Sequence, residues 1–263
     1  MRIFLAGTST LQFYTDKFNE IKPKYVLCTF FEGADACKQA IKFAGDTEHF
    51  LLDSGAFTFM NTKTGVTKEE LEAYCDTYID FINKNDVKYF FEMDVDSIFG
   101  LEYVEFLRKK IENSTQKKCI PVWHMNRGIS YWKKMCEDYD YIAIGGLVVS
   151  SIKISRNEVK RILQKLVSYA NNKGTKVHGL GYTNTENLKD IAFYSVDSTS
   201  WLKSVAFGAH LQEFSKEKGK IVNVSIPNND GTKKINFKSV YEKNFDAWLK
   251  YQRYMDLRKE YKK

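Results

Sequence analysis

Three aspartates each close a short apolar run. Asp53 stands in Leu-Leu-Asp-Ser-Gly-Ala-Phe, Asp94 in Phe-Glu-Met-Asp-Val-Asp, and Asp197 in Ser-Val-Asp-Ser-Thr-Ser-Trp. Two glycine-bearing stretches end other runs: Ile144-Gly145-Gly146-Leu147 and His178-Gly179-Leu180-Gly181-Tyr182. His124 closes a further one, in Val-Trp-His-Met-Asn-Arg-Gly. Carboxylates converging on one pocket suit acid/base and nucleophilic chemistry. Glycines beside them let a flat ligand or a backbone approach closely. Taken singly, each residue has a plain structural explanation. Asp-Ser-Gly is a turn signal, and Asp197 or Ser198 could cap a helix. His124 and His178 suit packing as well as catalysis. Together, at the ends of successive runs, these residues point to a site. Ser54, Phe57, Asp96, His178 and Trp201 are candidates for its support.

Something must carry those ends to one place. Eight short runs rich in β-branched and aromatic residues recur every 20 to 35 positions: 2–6, 25–30, 49–52, 89–93, 119–124, 141–144, 176–180 and 194–196. Each is nearly continuous in hydrophobicity, as strands covered on both faces are. Helical patterns lie between most of them. Thr67 with Glu70 makes a capping box before Leu71, Tyr74, Tyr78 and Ile82 at helical spacing. Residues 101–112 and 155–170 read as further helices. Strand–helix alternation implies parallel strands with right-handed crossovers. Eight repeats favour a single (β/α)8 TIM-type barrel, in which chemistry belongs at the C-terminal strand ends. The barrel core is expected over 1–210. A C-terminal β-hairpin and a basic helix are expected over 211–263, with strands at 220–226 and 233–237 flanking Pro-Asn-Asn-Asp-Gly and the helix over 239–261.

Composition narrows the classes. The chain has 263 residues, 40 Lys+Arg against 33 Asp+Glu, and a net charge of +7. That length can bury a core without disulfides or metal. From Lys238 to Lys263 there are eight basic and four acidic residues, so more than half of the excess charge lies there. A solvated helix face explains this simply; Lys250, Arg253 and Arg258 are also candidates for holding a nucleic-acid backbone. The five cysteines have no CxxC or Cys/His spacing, so no metal site and no disulfide framework is expected. No cofactor is implied. No run approaches the length of a membrane helix, and the N-terminal apolar run is too short for a signal segment. The expectation is a cytoplasmic protein with buried free thiols.

The ordered set Asp-Ser-Gly-Ala-Phe, Ile-Gly-Gly-Leu and Val-Asp197-Ser resembles the tRNA-guanine transglycosylase superfamily. It is more similar to that family's DNA-modifying relatives, which insert 7-deazaguanine bases. The resemblance runs from Asp53 to about Trp201. It implies that Asp197 is the nucleophile and Asp53 the general acid/base. It also implies that Asp94 reads the edge of the base, with His124, Gly145, Gly146, Leu147, Leu180 and Gly181 around it. The chemistry suits the residues. Displacing a base from C1′ passes through an oxocarbenium-like state, which one carboxylate can trap while a second carboxyl protonates the leaving base. Asp53 is then expected to hold a proton more tightly than an ordinary carboxyl.

The departures from the family matter too. The tRNA enzymes carry a zinc site past the barrel, but the last cysteine here is Cys136. That favours DNA over tRNA as substrate. His124 stands where the family usually has Gln, and Val148-Val149-Ser150-Ser151 follows Gly-Gly-Leu in place of an acidic sequel. The target base must be flipped out or lie in a single strand, and Phe57, Phe99, Tyr182 and Trp201 are candidates to stack on it. Two outcomes stay open. A free modified base makes the protein a base-exchanging transglycosylase. Water makes it a hydrolytic DNA glycosylase that leaves abasic sites, as in anti-phage defence. A different class is a barrel enzyme on a small phosphorylated metabolite, cradled by Gly179–Gly181 and the helix start near Ser200. A third is a non-catalytic nucleic-acid binder.

Overall fold

The structure is a computed structural model and describes residues 1–7, 22–60, 65–146, 155–202, 211–224 and 237–258. Its centre is a curled, wholly parallel sheet of seven short strands. These are β1 (Arg2–Ala6), β2 (Val26–Thr29), β3 (Phe50–Asp53), β4 (Val122–Trp123), β5 (Tyr141–Ile144), β6 (Lys176–Gly179) and β7 (Ser195–Ser198). Their order is β3-β2-β1-β7-β6-β5-β4, so the first and last strands are neighbours. Helices α1 (Ala34–Ala44), α2 (Ala56–Met60), α3 (Lys68–Lys84), α4 (Asp96–Phe99), α5 (Leu101–Thr115), α6 (Gly128–Asp138) and α7 (Arg156–Asn172) lie between the strands. Thr67 and Ser155 start α3 and α7 with reciprocal capping boxes to Glu70 and Glu158.

Alternate strand residues serve two cores. Phe4, Leu27, Leu51, Val122 and Ala143 pack together on the concave face. Their chain neighbours pack under the helices: Ile3, Leu5, Ile142 and Val177 in one cluster, Val26, Phe50 and Leu52 in another. Burial on both faces explains why the runs are apolar throughout rather than alternating. Each fully buried Leu, Ile or Phe contributes roughly 1.5–3 kcal/mol.

Four expectations are corrected. Residues 89–93 form no strand ladder. Phe90 and Phe91 make isolated parallel bridges to Leu52 and Ile120, hydrogen-bonding both edges of the sheet. The Glu92 N–H still donates to Ile120 O, and Met93 is buried in the core under the helices. The run at 119–124 yields only the two-residue β4. Among the described residues no α-helix joins β6 to β7; a 3-10 turn, Leu188–Asp190, stands there. The strand expected at 220–226 is present as β9 (Lys220–Val224), and it pairs antiparallel with a strand that was not expected, β8 (Leu211–Ser215). Residues 225–236, including Pro-Asn-Asn-Asp-Gly, are outside the described residues, and Phe237 opens a helix instead of closing a strand.

That helix, α8 (Phe237–Leu257), docks by Phe245, Trp248 and Met255, all buried. Asn244 Nδ2 donates to Trp201 O after β7, Gln252 Nε2 donates to Ile3 O, and the N-terminal amine of Met1 donates to Met255 O. The helix therefore descends from the C-terminal end of the sheet to its N-terminal end. All five cysteines are buried free thiols. Among the described residues no helix is long and apolar enough to cross a membrane.

Candidate active site

The C-terminal ends of the strands bring Asp53, Asp94 and Asp197 together. Asp53 ends β3, Asp197 lies in β7, and Asp94 follows the Phe90–Phe91 bridges. Burial pushes the Asp53 carboxyl up, and the charges of Asp94 and Asp197 push it further, from 3.8 to about 7. The Gly55 N–H offsets part of this. Gly55 has φ +76, and a Cβ there would lie 2.7 Å from Phe31 Cβ, so only glycine turns the chain after Asp53 this sharply. Ser54 is buried, and its carbonyl accepts from Tyr74 Oη at 2.8 Å. Phe57 begins the second residue of α2, and its side chain is outside what is described.

Asp94 is paired. Its Oδ2 lies 3.0 Å from His124 Nε2. Burial raises its carboxyl above the ordinary range, and the His124 hydrogen bond holds part of the rise back. The His124 ring packs against Gly145 and Gly146. A Cβ at either would come within 2.8 Å of His124 Cε1 or 2.9 Å of its Nδ1. The Gly-Gly pair thus makes room for the His124 ring. Leu180 packs on the concave core beside it. Leu147 lies outside the described residues.

Asp197 is held by two donors. His178 Nε2 lies 3.1 Å from Asp197 Oδ1, and the Gly181 N–H donates to the same oxygen at 2.6 Å. Gly181 has φ +64, a left-handed conformation that aims this N–H upward. Gly181 therefore orients the aspartate. His178 is fully buried and faces the Phe4 and Phe91 rings.

Beneath Asp94 lies an ion network that sequence reading missed. Glu92 is fully buried and accepts from Arg108 Nε at 2.5 Å, Arg127 Nη1 at 2.8 Å and the Val122 N–H at 2.8 Å. Arg127 also donates to Asp96, from Nη2 at 3.0 Å and Nε at 3.2 Å. Burial pushes Asp96 up, but the Arg127 pair outweighs it and holds its carboxyl below the ordinary range. Asp96 thus belongs to the support of the site. Removing Glu92 would leave two buried guanidiniums without their shared partner. Glu92→Ala is expected to destabilise the protein by about 3–5 kcal/mol, read from the urea midpoint. A midpoint unchanged from wild type would contradict that role.

Two expected stacking aromatics are not available. Trp201 is fully buried, donates from Nε1 to Ala6 O at 3.0 Å and packs on Phe245. Tyr182 is buried against Phe193. Phe99, at the end of α4, packs against Tyr103 of α5 and the core under the helices. The basic residues of α8 do not gather at the carboxylates. Arg253 and Arg258 flank Met255, by the start of β1, and Lys250 pairs with Asp246 at 2.6 Å on the exposed side. Among the described residues no group of three His, Cys, Asp or Glu side chains could hold a metal ion. No family model matches the chain, and no curated protein matches it.

Proposed function

We propose that this protein breaks an N-glycosidic bond in DNA by double displacement on Asp197. In this reading the Phe90–Phe91 segment closes the sheet into a (β/α)8 barrel. The adjacency of β1 and β7, and the bonds from that segment to both sheet edges, support closure. The observation that carries the chemistry is the convergence of three carboxylates at the strand ends, where burial and the charges of Asp94 and Asp197 push the Asp53 carboxyl up to about 7. One group near Asp197 thus holds a transferable proton at neutral pH, while Asp197 keeps an oxygen clear of the donors on Oδ1.

The steps balance. Asp197 Oδ2 bonds to C1′ of a flipped-out nucleotide as the C1′–N bond breaks. The electron pair leaves with the base, which takes the Asp53 proton. An incoming nucleophile then attacks C1′ and gives a proton to Asp53, and the C1′–Oδ2 bond breaks. Asp94 with His124 offers a polar edge to the base. The metabolite reading is less well supported, because the Gly181 N–H that a phosphate cradle would use already donates to Asp197.

Base exchange and hydrolysis share these steps and differ only in the second nucleophile. Incubating the full chain with DNA that carries 7-deazaguanine bases, and with unmodified DNA, tests the reading. Released bases are measured by mass spectrometry, with and without a free labelled base. Label entering the strand identifies exchange; abasic sites identify hydrolysis. No base released from either DNA would overturn the proposal.

A further inference from the structure

We propose that Tyr141, Ser195 and His178 form a buried relay that positions Asp197, by holding the His178 ring in its neutral Nε2–H form. The inference rests on the assignment of Asp197 as nucleophile. Its geometry spans three strands. His178 on β6 is in register with Ala143 on β5 and Ser195 on β7, so all three face the concave core. Tyr141 Oη lies 2.5 Å from Ser195 Oγ, Ser195 Oγ lies 2.6 Å from His178 Nδ1, and His178 Nε2 lies 3.1 Å from Asp197 Oδ1.

The protons can be placed from one end. A carboxylate only accepts, so Nε2 must donate to Asp197. In a neutral imidazole the other nitrogen is then an acceptor, and the Ser195 hydroxyl must donate to it. Ser195 Oγ in turn accepts from Tyr141 O–H. Burial raises the Tyr141 phenol well above its ordinary range, so it keeps that proton. With His178 neutral, each hydroxyl therefore has one direction. Phe4 and Phe91 face the His178 ring at 6.1 and 5.2 Å between centroids and give it no competing polar partner.

The consequence for Asp197 is a choice of oxygen. His178 and the Gly181 N–H both occupy Oδ1. Among the described residues no donor reaches Oδ2, which is left as the attacking atom. With the other tautomer, a lone pair on Nε2 would face Oδ1, and the carboxylate would rotate away. The three residues therefore act through Asp197 and touch no substrate.

Two readouts on the full chain test this. Long-range proton–nitrogen NMR of histidine-labelled protein should show His178 as the neutral Nε2–H tautomer. Ser195→Ala should mix in the Nδ1–H form and lower kcat for base release by ~10-fold with KM unchanged, within the loss of up to ~10²-fold that a misplaced reacting group brings. Tyr141→Phe keeps the serine and should act in the same direction with a smaller effect, which covers the case in which Ser195→Ala fails to fold. An Nδ1–H or doubly protonated His178 in the wild type would overturn the relay. So would an unchanged tautomer and kcat in both variants. If the wild type releases no base yet shows the predicted tautomer and its shift, the glycosidic reading fails and the relay stands. If release depends on Asp197 but the tautomer is wrong, the relay alone fails.

Discussion

Asp197→Asn should abolish base release while leaving the fold unchanged. The amide is the same shape, and its carbonyl oxygen can still accept from His178 Nε2 and from the Gly181 N–H. What it lacks is a charged oxygen able to form a bond to C1′. Losing a covalent nucleophile in this way costs on the order of 10³-fold or more in kcat. Thermal unfolding of the variant should match the wild type, which separates loss of chemistry from loss of structure. A pure binding module would behave differently: it would keep its DNA affinity and show no release in either form. A metabolite enzyme that uses Asp197 as a base would show DNA-independent turnover in the wild type and lose it in Asp197→Asn.

Asp53 governs the pH dependence. In the proposed mechanism its proton is the one given to the leaving base, and burial with the charges of Asp94 and Asp197 pushes its carboxyl up to about 7. Below that pH the acid is present; above it the proton is lost. Hence kcat/KM should fall about tenfold per pH unit above about 7. Asp53→Asn should lower the rate by ~10²–10⁴-fold and remove that limb. Asp94→Asn takes away one of the charges that raise Asp53, so the limb should move to lower pH. Stability carries the same signature. The folded pKa is raised from 3.8 to about 7, so the folded state binds more protons than the unfolded chain in that window. Stability supplied by protonated Asp53 is thus complete below about 4 and lost as pH rises through 7. The Asp53→Asn protein should lack this loss, as urea midpoints between pH 5 and 9 would show. A pH–rate profile flat from 6 to 9, unchanged in Asp53→Asn, would remove Asp53 from the acid role.

Much of the site was legible because strand ends in a wound α/β chain are predictable from apolar runs. Asp53, Asp94 and Asp197 each follow such a run and meet as expected. The helices at 68–84 and 156–172 were readable from Thr67, Ser155 and their apolar spacing. The Glu92 network was not, because Arg108 lies on α5 and Arg127 in a turn, and only the fold brings their charges to one carboxylate. Period-two spacing of Glu92, Asp94 and Asp96 was the one available signal. Trp201 and Gly181 look like ligand contacts in sequence, yet one is walled in by Phe245 and the other donates to Asp197. Burial and hydrogen-bond direction decide such cases, and neither is written in a residue type. The β8 partner of β9 was not anticipated, because the Lys-Glu-Lys-Gly turn that joins them carries a weaker turn signal than Pro-Asn-Asn-Asp-Gly.

The most direct test is the mass of the denatured protein after rapid quenching of its reaction with 7-deazaguanine-containing DNA. A covalent DNA adduct should form and map to the peptide containing Asp197, and Asp197→Asn should form none. Base release that proceeds undiminished in Asp197→Asn, with no adduct on the wild type, would contradict it.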